Sequence, residues 1–160
     1  MFRRKQAPPA FVRGCTVYFA PGHDTVLVAA LFNHGGLFAE QPDGVARCAT
    51  GDVPALGAAA RAALAACRYE PAFDYRDRKR TDWPAFRASG CRSVREFEQL
   101  YVPFGIRGAN EANLAYVIES PPYGACAVSL TATTDAHGED ARLGERIACL
   151  WREYRRVSGD

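Results

Sequence analysis

Two apolar segments joined by a short turn constrain the fold of this chain most strongly. The first, from Phe11 to Phe19, is rich in β-branched and aromatic residues, and the second, from Thr25 to Phe32, is almost entirely apolar. Between them, Pro21-Gly22-His23-Asp24 combines residues that favour turns. The pattern predicts a β-hairpin with a buried second strand, so the N-terminal part of the chain is expected to form antiparallel sheet.

Two further pairs of segments have hairpin character. Leu37–Glu40 and Val45–Thr50 flank Gln41-Pro42-Asp43-Gly44, in which Asp-Gly is a strong turn signal. Farther along, Asn113–Glu119 and Ala125–Thr133 alternate apolar and polar residues on either side of a Pro-Pro-Tyr-Gly turn. The side chains expected on the core face of this last hairpin are Leu114, Tyr116, Ile118, Cys126, Val128, Leu130 and Ala132.

Two longer amphipathic helices alternate with these strands. Asp52 and Pro54 suit the cap and the first turn of a helix that continues to about Arg68. Its apolar stripe, at spacings of three and four, consists of Val53, Leu56, Ala60, Ala63, Leu64 and Cys67. A C-terminal helix is predicted from about Asp140 to Arg156, and its apolar stripe consists of Leu143, Ile147, Leu150, Trp151 and Tyr154.

Two short helices are expected in the irregular middle of the chain. Asp82 is placed to cap the first, which begins near Trp83, and Ser93 with Glu96 forms a capping box for the second. Pro103 and Gly105 are expected to end the second helix.

The order of these elements predicts an α+β fold in a single domain. A mostly antiparallel sheet built from hairpins would pack against an amphipathic helix in the N-terminal half and another at the C-terminus. Hydrophobic residues make up 48% and charged residues 24% of the 160 residues, values near globular averages, which argue against wholesale disorder. Residues 1–10 are expected to be a flexible lead-in, and residues 11–157 the domain.

The apolar runs are too short for a membrane protein. The longest, Val26 to Phe32, falls far below the roughly 20 residues that span a bilayer. The basic start of the chain would suit a signal peptide, but Pro8, Pro9 and Arg13 interrupt any apolar segment after it. We therefore expect a soluble, cytoplasmic protein without membrane contact.

Few residues suggest catalysis. The sequence has no glycine-rich phosphate loop and no C-x-x-C pair, and no two carboxylates stand out by their spacing. We therefore expect no enzyme activity, no cofactor and no metal. One enzymatic alternative stays open, a Cys–His pair in which Cys48 or Cys91 meets a histidine; the candidates are His23, His34 and His137.

The basic run Arg76–Arg80 leaves a second alternative open. It lies beside Phe73, Tyr75 and Trp83, as in an Arg-rich RNA-binding adaptor. However, acidic residues interrupt the run, and the net charge of the whole chain is only +2. We favour a solvated or protein-binding loop and expect no direct binding of nucleic acid.

A Leu-Gly pair opens each of the two long helices. Leu56-Gly57 and Leu143-Gly144 both follow a candidate strand and an aspartate. Glycine in a first turn would let each helix lie close to a sheet. Two explanations of this similarity stay open: the two Leu-Gly pairs match by chance, or they belong to a pseudo-repeat of strand and helix.

One order of segments connects these features. The order begins with Leu56-Gly57, followed in the same helix by Ala63-Leu64 and Cys67-Arg68. Trp83 then lies in a short charged helix, and Ser89-Gly90-Cys91-Arg92-Ser93 opens another. After a pair of strands, the last helix opens with Leu143-Gly144 and Ile147. Over roughly residues 11–156 this order resembles the immunity proteins of bacterial contact-dependent growth inhibition systems. The resemblance implies a small cytoplasmic protein without catalysis or cofactor. It would bind and neutralise the toxic C-terminal domain of a cognate toxin, commonly a nuclease, as a 1:1 complex.

No motif marks the contact residues of such a protein. Immunity proteins that face basic nucleases are often acidic, whereas this chain is slightly basic. Either the acidic surface is local, with aromatic residues beside it, or the toxin is not strongly basic. The residues predicted to contact the toxin are Asp74, Asp77, Asp82, Trp83, Glu111, Glu119 and Tyr123.

Overall fold

The computed structural model describes residues 9–72, 74, 76, 79 and 82–159. Most of the predicted lead-in, residues 1–8, lies outside these residues. Within them the chain forms seven strands and four helices. In chain order they are β1 (Gly14–Phe19), β2 (Val26–Asn33), β3 (Phe38–Cys48), α1 (Val53–Ala66), β4 (Arg68–Tyr69), α2 (Pro84–Ser89), α3 (Val94–Leu100), β5 (Val102–Gly108), β6 (Ala115–Glu119), β7 (Thr131–Asp135) and α4 (Asp140–Ser158).

The strands form one open sheet, which confirms the predicted α+β fold. The order is β3-β2-β1-β5-β6-β7, with antiparallel neighbours throughout, and the short β4 pairs with β2 in parallel. The first hairpin is confirmed, because β1 and β2 pair with Val17 opposite Val28.

Helices cover both faces of the sheet. Alternate residues of each strand point to opposite faces, so Val17 joins the core beneath α1 and α4, whereas Tyr18 joins a smaller core beneath α2 and α3. In the larger core, the rings of Phe19 and Trp151 stack at 4.6 Å between centroids. In the smaller core, Phe97 of α3 is almost completely buried against Tyr18 and Tyr101.

The predicted second hairpin is wrong. Strand β3 continues through Gln41-Pro42-Asp43-Gly44, which bulges between the pairs Leu31–Glu40 and Ala29–Val45. The buried Gln41 holds the bulge, because its amide donates to the carbonyls of Leu31 and Ala66, each at 2.8 Å. The Asp-Gly signal therefore marks a bulge within one strand instead of a turn between two strands.

Strand β5 was not predicted, because Pro103 and Gly105 suggest a break in structure. Phe104 and Ile106 alternate with them and are completely buried. Pairing with β6 begins only at Gly105, so Pro103 has a neighbouring strand on the β1 side alone. Proline is tolerated in a strand where one side lacks a partner, since an N–H that points to that side would have no acceptor.

The last hairpin is confirmed in part. Tyr116 and Ile118 are buried as predicted, but Leu114 is 61% exposed. Strand β7 begins only at Thr131, and the predicted core residues Cys126 and Val128 are exposed in the loop before it. The alternation in residues 125–130 therefore belongs to a connecting loop with one isolated bridge, between Tyr123 and Val128.

The caps of α1 and α3 agree with the sequence. Asp52 Oδ1 accepts a hydrogen bond from the Ala55 amide at 3.0 Å, and Ser93 Oγ accepts one from Glu96 at 3.1 Å. Asp82 does not cap α2; its carboxylate accepts from the Lys79 amide instead. The predicted apolar stripe of α4 is buried along its whole length.

The two Leu-Gly pairs meet where α1 crosses α4. A Cβ atom on Gly57 would lie 1.8 Å from the Asp140 carbonyl oxygen, and one on Gly144 would lie 2.0 Å from that of Val53. The contact is therefore reciprocal. Gly57 faces the carbonyl of Asp140, four residues before Gly144, and Gly144 faces the carbonyl of Val53, four residues before Gly57. The expectation that these glycines approach the sheet is wrong, because the close approach is between helix backbones.

Candidate functional site: an open trough on the sheet

The short helices α2 and α3 leave part of their sheet face uncovered. Two adjoining cavities, of about 440 and 450 Å³, lie over the uncovered part and share Gly105 and Arg107. We call the depression that they form the trough. Among the sheet residues that line it are Thr16 of β1, Leu31 of β2, Phe38 and Glu40 of β3, Gly105 and Arg107 of β5, and Val117 and Glu119 of β6.

Strand register fixes the floor of the trough. Gly105 lies between Thr16 and Glu119 on the neighbouring strands, and Arg107 lies opposite Val117. A Cβ atom at Gly105 would have no other atom within 4 Å. The floor is therefore low because β5 carries no side chain at this point.

Arg107 stands at the meeting point of the cavities. Its guanidinium carbon lies 4.9 Å from the centre of the Phe38 ring. The ring in turn occupies space above Gly14, where a Cβ would lie 2.8 Å from Phe38 Cε1. The Arg107 side chain is exposed and makes no hydrogen bond or ion pair within the described residues. The contact with Phe38 favours one position of the cation without neutralising its charge.

A buried carboxylate forms the opposite wall. Glu40 is 6% exposed and accepts hydrogen bonds from the Tyr18 hydroxyl at 2.5 Å, Trp83 Nε1 at 2.8 Å and the Ala85 amide at 2.7 Å. Burial, and then the negative charge of Glu40, raise the pKa of Tyr18 far above its usual value, so the phenol remains a donor. This network joins β1 and β3 to the start of α2. It therefore fixes how far this side of the trough rises above the sheet.

The structure brings together two of the predicted contact residues. Trp83 and Glu119 line opposite parts of the trough. Asp82 is exposed next to Trp83, and Asp74 is exposed in the preceding loop. The predicted contact residue Asp77 lies outside the described residues.

The remaining two predicted contact residues lie elsewhere. Glu111 lines a third cavity, of about 590 Å³, which shares Phe38 and Arg107 with the trough. Tyr123 lies on the other side of the sheet, where its ring contacts Tyr154 of α4. All of these assignments as contact residues stay predictions.

Sequence reasoning missed Arg107, Phe38 and Glu40. Arg107 belongs to a strand that the sequence does not predict, and Glu40 ends a predicted strand directly before the supposed turn. An alternation of Phe104 and Ile106 around Gly105 was the available signal for the strand. Nothing local in the sequence indicates that positions 16, 38, 105 and 119 converge.

The thiols bear on the Cys–His alternative. All six cysteines are free thiols in the structure. Burial is the main cause that raises the pKa of Cys15, Cys48 and Cys67; the charge of Asp52 adds to the rise at Cys48. A raised pKa is the opposite of what an activated nucleophile requires.

The described residues contain no group of three His, Cys, Asp or Glu side chains that could hold a metal ion. Of the basic run, the structure describes only Arg76 and Lys79, both exposed. None of the described helices combines the length and the apolar character that crossing a membrane requires.

The architecture defines the class of the protein: an α+β domain whose open antiparallel sheet carries helices on both faces. No family model matches the chain, and no curated protein matches it in sequence. Solved structures of other proteins share its fold.

The first similar structure is a protein of unknown function from Neisseria meningitidis. It has a TM-score of 0.68 and 11% identity, covering 92% of this chain and 98% of the other. The second is a chain of a CdiA-CT/CdiI toxin and immunity complex from Yersinia pseudotuberculosis. Its TM-score is 0.63 and its identity 12%, covering 89% of this chain and 97% of the other. At these identities the comparisons establish a shared fold.

Proposed function

We propose that this chain is the immunity component of a toxin–immunity pair. It acts in the cytoplasm, where it binds the toxic C-terminal domain of its cognate contact-dependent growth inhibition toxin in a 1:1 complex. The complex blocks the active site or the substrate-binding face of the toxin, a nuclease in the systems that the sequence resembles. The chain itself catalyses no reaction and needs no cofactor.

The observation that carries this proposal is the likeness in fold to a chain of a toxin and immunity complex. The likeness extends over almost the full length of both chains. The Leu-Gly order of the sequence points independently to immunity proteins, and the two Leu-Gly pairs form the crossing of α1 and α4. An open trough with exposed charges offers a surface on which a partner could dock.

Co-purification tests the proposal. The tagged chain is expressed with the toxin domain encoded immediately upstream of it, and the mixture is separated by gel filtration. We expect a 1:1 complex that survives the column, and we expect cells that produce both proteins to grow. Separate elution of the two proteins, with continued toxicity, would contradict the proposal.

Two substitutions test whether the chain protects cells by binding the toxin or by catalysing a reaction. Cys48→Ala and His34→Ala remove candidate members of a Cys–His pair. If the chain acts only by binding, both variants protect cells as well as the wild-type protein does. Loss of protection in a variant that still folds, as judged by circular dichroism, would favour the enzymatic alternative.

A further inference from the structure

The floor of the trough carries two exposed, opposite charges at a spacing set by the sheet. Lys79, from the segment before α2, adds an exposed cation to the lining. Arg107 pairs with Val117, and Gly105 pairs with Glu119, so Arg107 and Glu119 are diagonal neighbours on one face of β5 and β6. Such positions lie about 7–8 Å apart. Neither side chain forms an ion pair within the part of the chain that the structure describes.

The space between these charges is empty because of Gly105. No atom lies within 4 Å of the place where its Cβ would stand. The neighbouring Thr16 is only partly buried, and Val117 is likewise half-buried. A partner segment could therefore reach the sheet surface between an exposed cation and an exposed anion.

We infer that the trough receives a segment of the toxin domain that carries one carboxylate and one cationic side chain, which pair with Arg107 and Glu119 respectively. This inference rests on the proposed function for the existence of a toxin partner. It assigns to Arg107 and Glu119 the role of determining which toxin is recognised, because a toxin with like charges at these places would be repelled.

The charges favour a protein segment over a nucleic acid. A phosphate backbone offers only negative charge, and it would meet Glu119 at one side of Arg107 and Glu111 in the adjoining cavity. A polypeptide can present both signs of charge within a few residues. The pattern of charges in the trough therefore matches a protein surface of mixed charge.

Charge reversal tests the pairing. Arg107→Glu and Glu119→Lys are each titrated with the purified cognate toxin domain by calorimetry. We expect the Kd to rise at least about tenfold for each variant, because a like-charge contact replaces an attractive one. Arg152→Glu, the same change at an exposed position of α4, is the matched control and should stay within about twofold of the wild-type Kd.

A steric variant tests the location without changing charge. Gly105→Leu projects a side chain into the open floor, and we expect it to weaken toxin binding at least about tenfold while the chain stays folded. Gly51→Leu, at another glycine with open space around it, is the control and should bind as the wild type does.

The outcomes separate the two proposals. If the wild-type chain binds no toxin domain, the proposed function fails. If the wild type binds and the three trough variants bind equally well, the inference is wrong and the proposed function stands. If the wild type binds a short RNA tightly and Arg107→Glu abolishes that binding, the choice of a protein partner is overturned.

Discussion

Glu40 illustrates how one residue can determine the form of a surface. Its carboxylate is enclosed and held by three donors from β1, the segment before α2, and α2 itself. A buried carboxylate is stable only with such partners, so Glu40 fixes the relative positions of these elements. Trp83 owes its place at the trough to this bond.

Tyr18→Phe should make the stability of the protein less sensitive to alkaline pH. The pKa of Tyr18 is raised by burial and by Glu40, whereas in the unfolded chain it is near the ordinary value of 10.0. Above pH 10 the unfolded chain therefore loses a proton that the folded protein keeps, and the free energy of unfolding falls as the pH rises. The variant should lose about 1 kcal/mol less than the wild type between pH 10 and pH 11.

Urea unfolding at pH 8, 10 and 11 measures this difference. At pH 8 the variant should already be less stable by about 1–3 kcal/mol, because Glu40 has one donor fewer. Other groups that titrate in this range, Cys15 among them, are present in both proteins and cancel in the comparison. Equal pH slopes for the two proteins would contradict the assignment.

At the scale of elements, the crossing of α1 and α4 depends on the absence of two side chains. Gly144→Ala should improve the intrinsic helix propensity by about 1 kcal/mol. However, the new Cβ would lie 2.0 Å from the Val53 carbonyl oxygen, a backbone atom that cannot rotate away. We expect a net loss of about 2–3 kcal/mol in the free energy of unfolding, because the helices must separate.

Chemical denaturation of Gly144→Ala, Gly57→Ala and Gly51→Ala checks this expectation. Gly51 has no atom within 4 Å of its would-be Cβ, so its substitution should change stability little. A Gly144→Ala variant as stable as Gly51→Ala would mean that the helices are farther apart than the structure places them.

A second contact ties these helices to the sheet. The Arg61 guanidinium of α1 donates to the Gly138 carbonyl at 2.6 Å, and also to the Ala136 carbonyl and to Asp140. One planar group thus binds the loop between β7 and α4 at two points and the first residue of α4 at a third. This fork holds the start of α4 in the orientation that the glycine contact requires.

How well the sequence predicts each element depends on the range of its contacts. The first hairpin, α1 and α4 carry their own signals, such as the Asp52 cap and the stripe around Leu143. Strand β5 depends on its neighbours, since Pro103 and Gly105 disfavour a strand in isolation and are accommodated only by the register with β1. The turn signal at Asp43-Gly44 is overruled in the same way by pairing on both sides of the bulge.

At the scale of the whole molecule, the trough lies beyond local reasoning. Its residues come from five strands, from the segment before α2 and from the loop after β6, and only strand register places Thr16, Gly105 and Glu119 in one row. Of the predicted contact residues, Glu119 and Trp83 belong to this surface, whereas Tyr123 lies across the sheet from it.

The thiols should report on the integrity of the whole fold. In the native protein we expect iodoacetamide at pH 8 to modify the exposed Cys126 and Cys149 first. Cys15 and Cys67 are buried, with raised pKa values, so they should react only when the protein opens. Peptide mass spectrometry over time, with and without urea, measures these rates; rapid native labelling of Cys15 would contradict the packing beneath α1.

The meeting of α1 with α4 has a consequence for synthesis. A ribosome makes α1 well before α4, so the nascent protein exposes the apolar stripe of α1 until α4 has been made. A chain that stops early would lack the helix that closes the larger core. Such a fragment would leave the apolar stripe of α1 exposed to solvent, so only molecules that include α4 can complete the larger core.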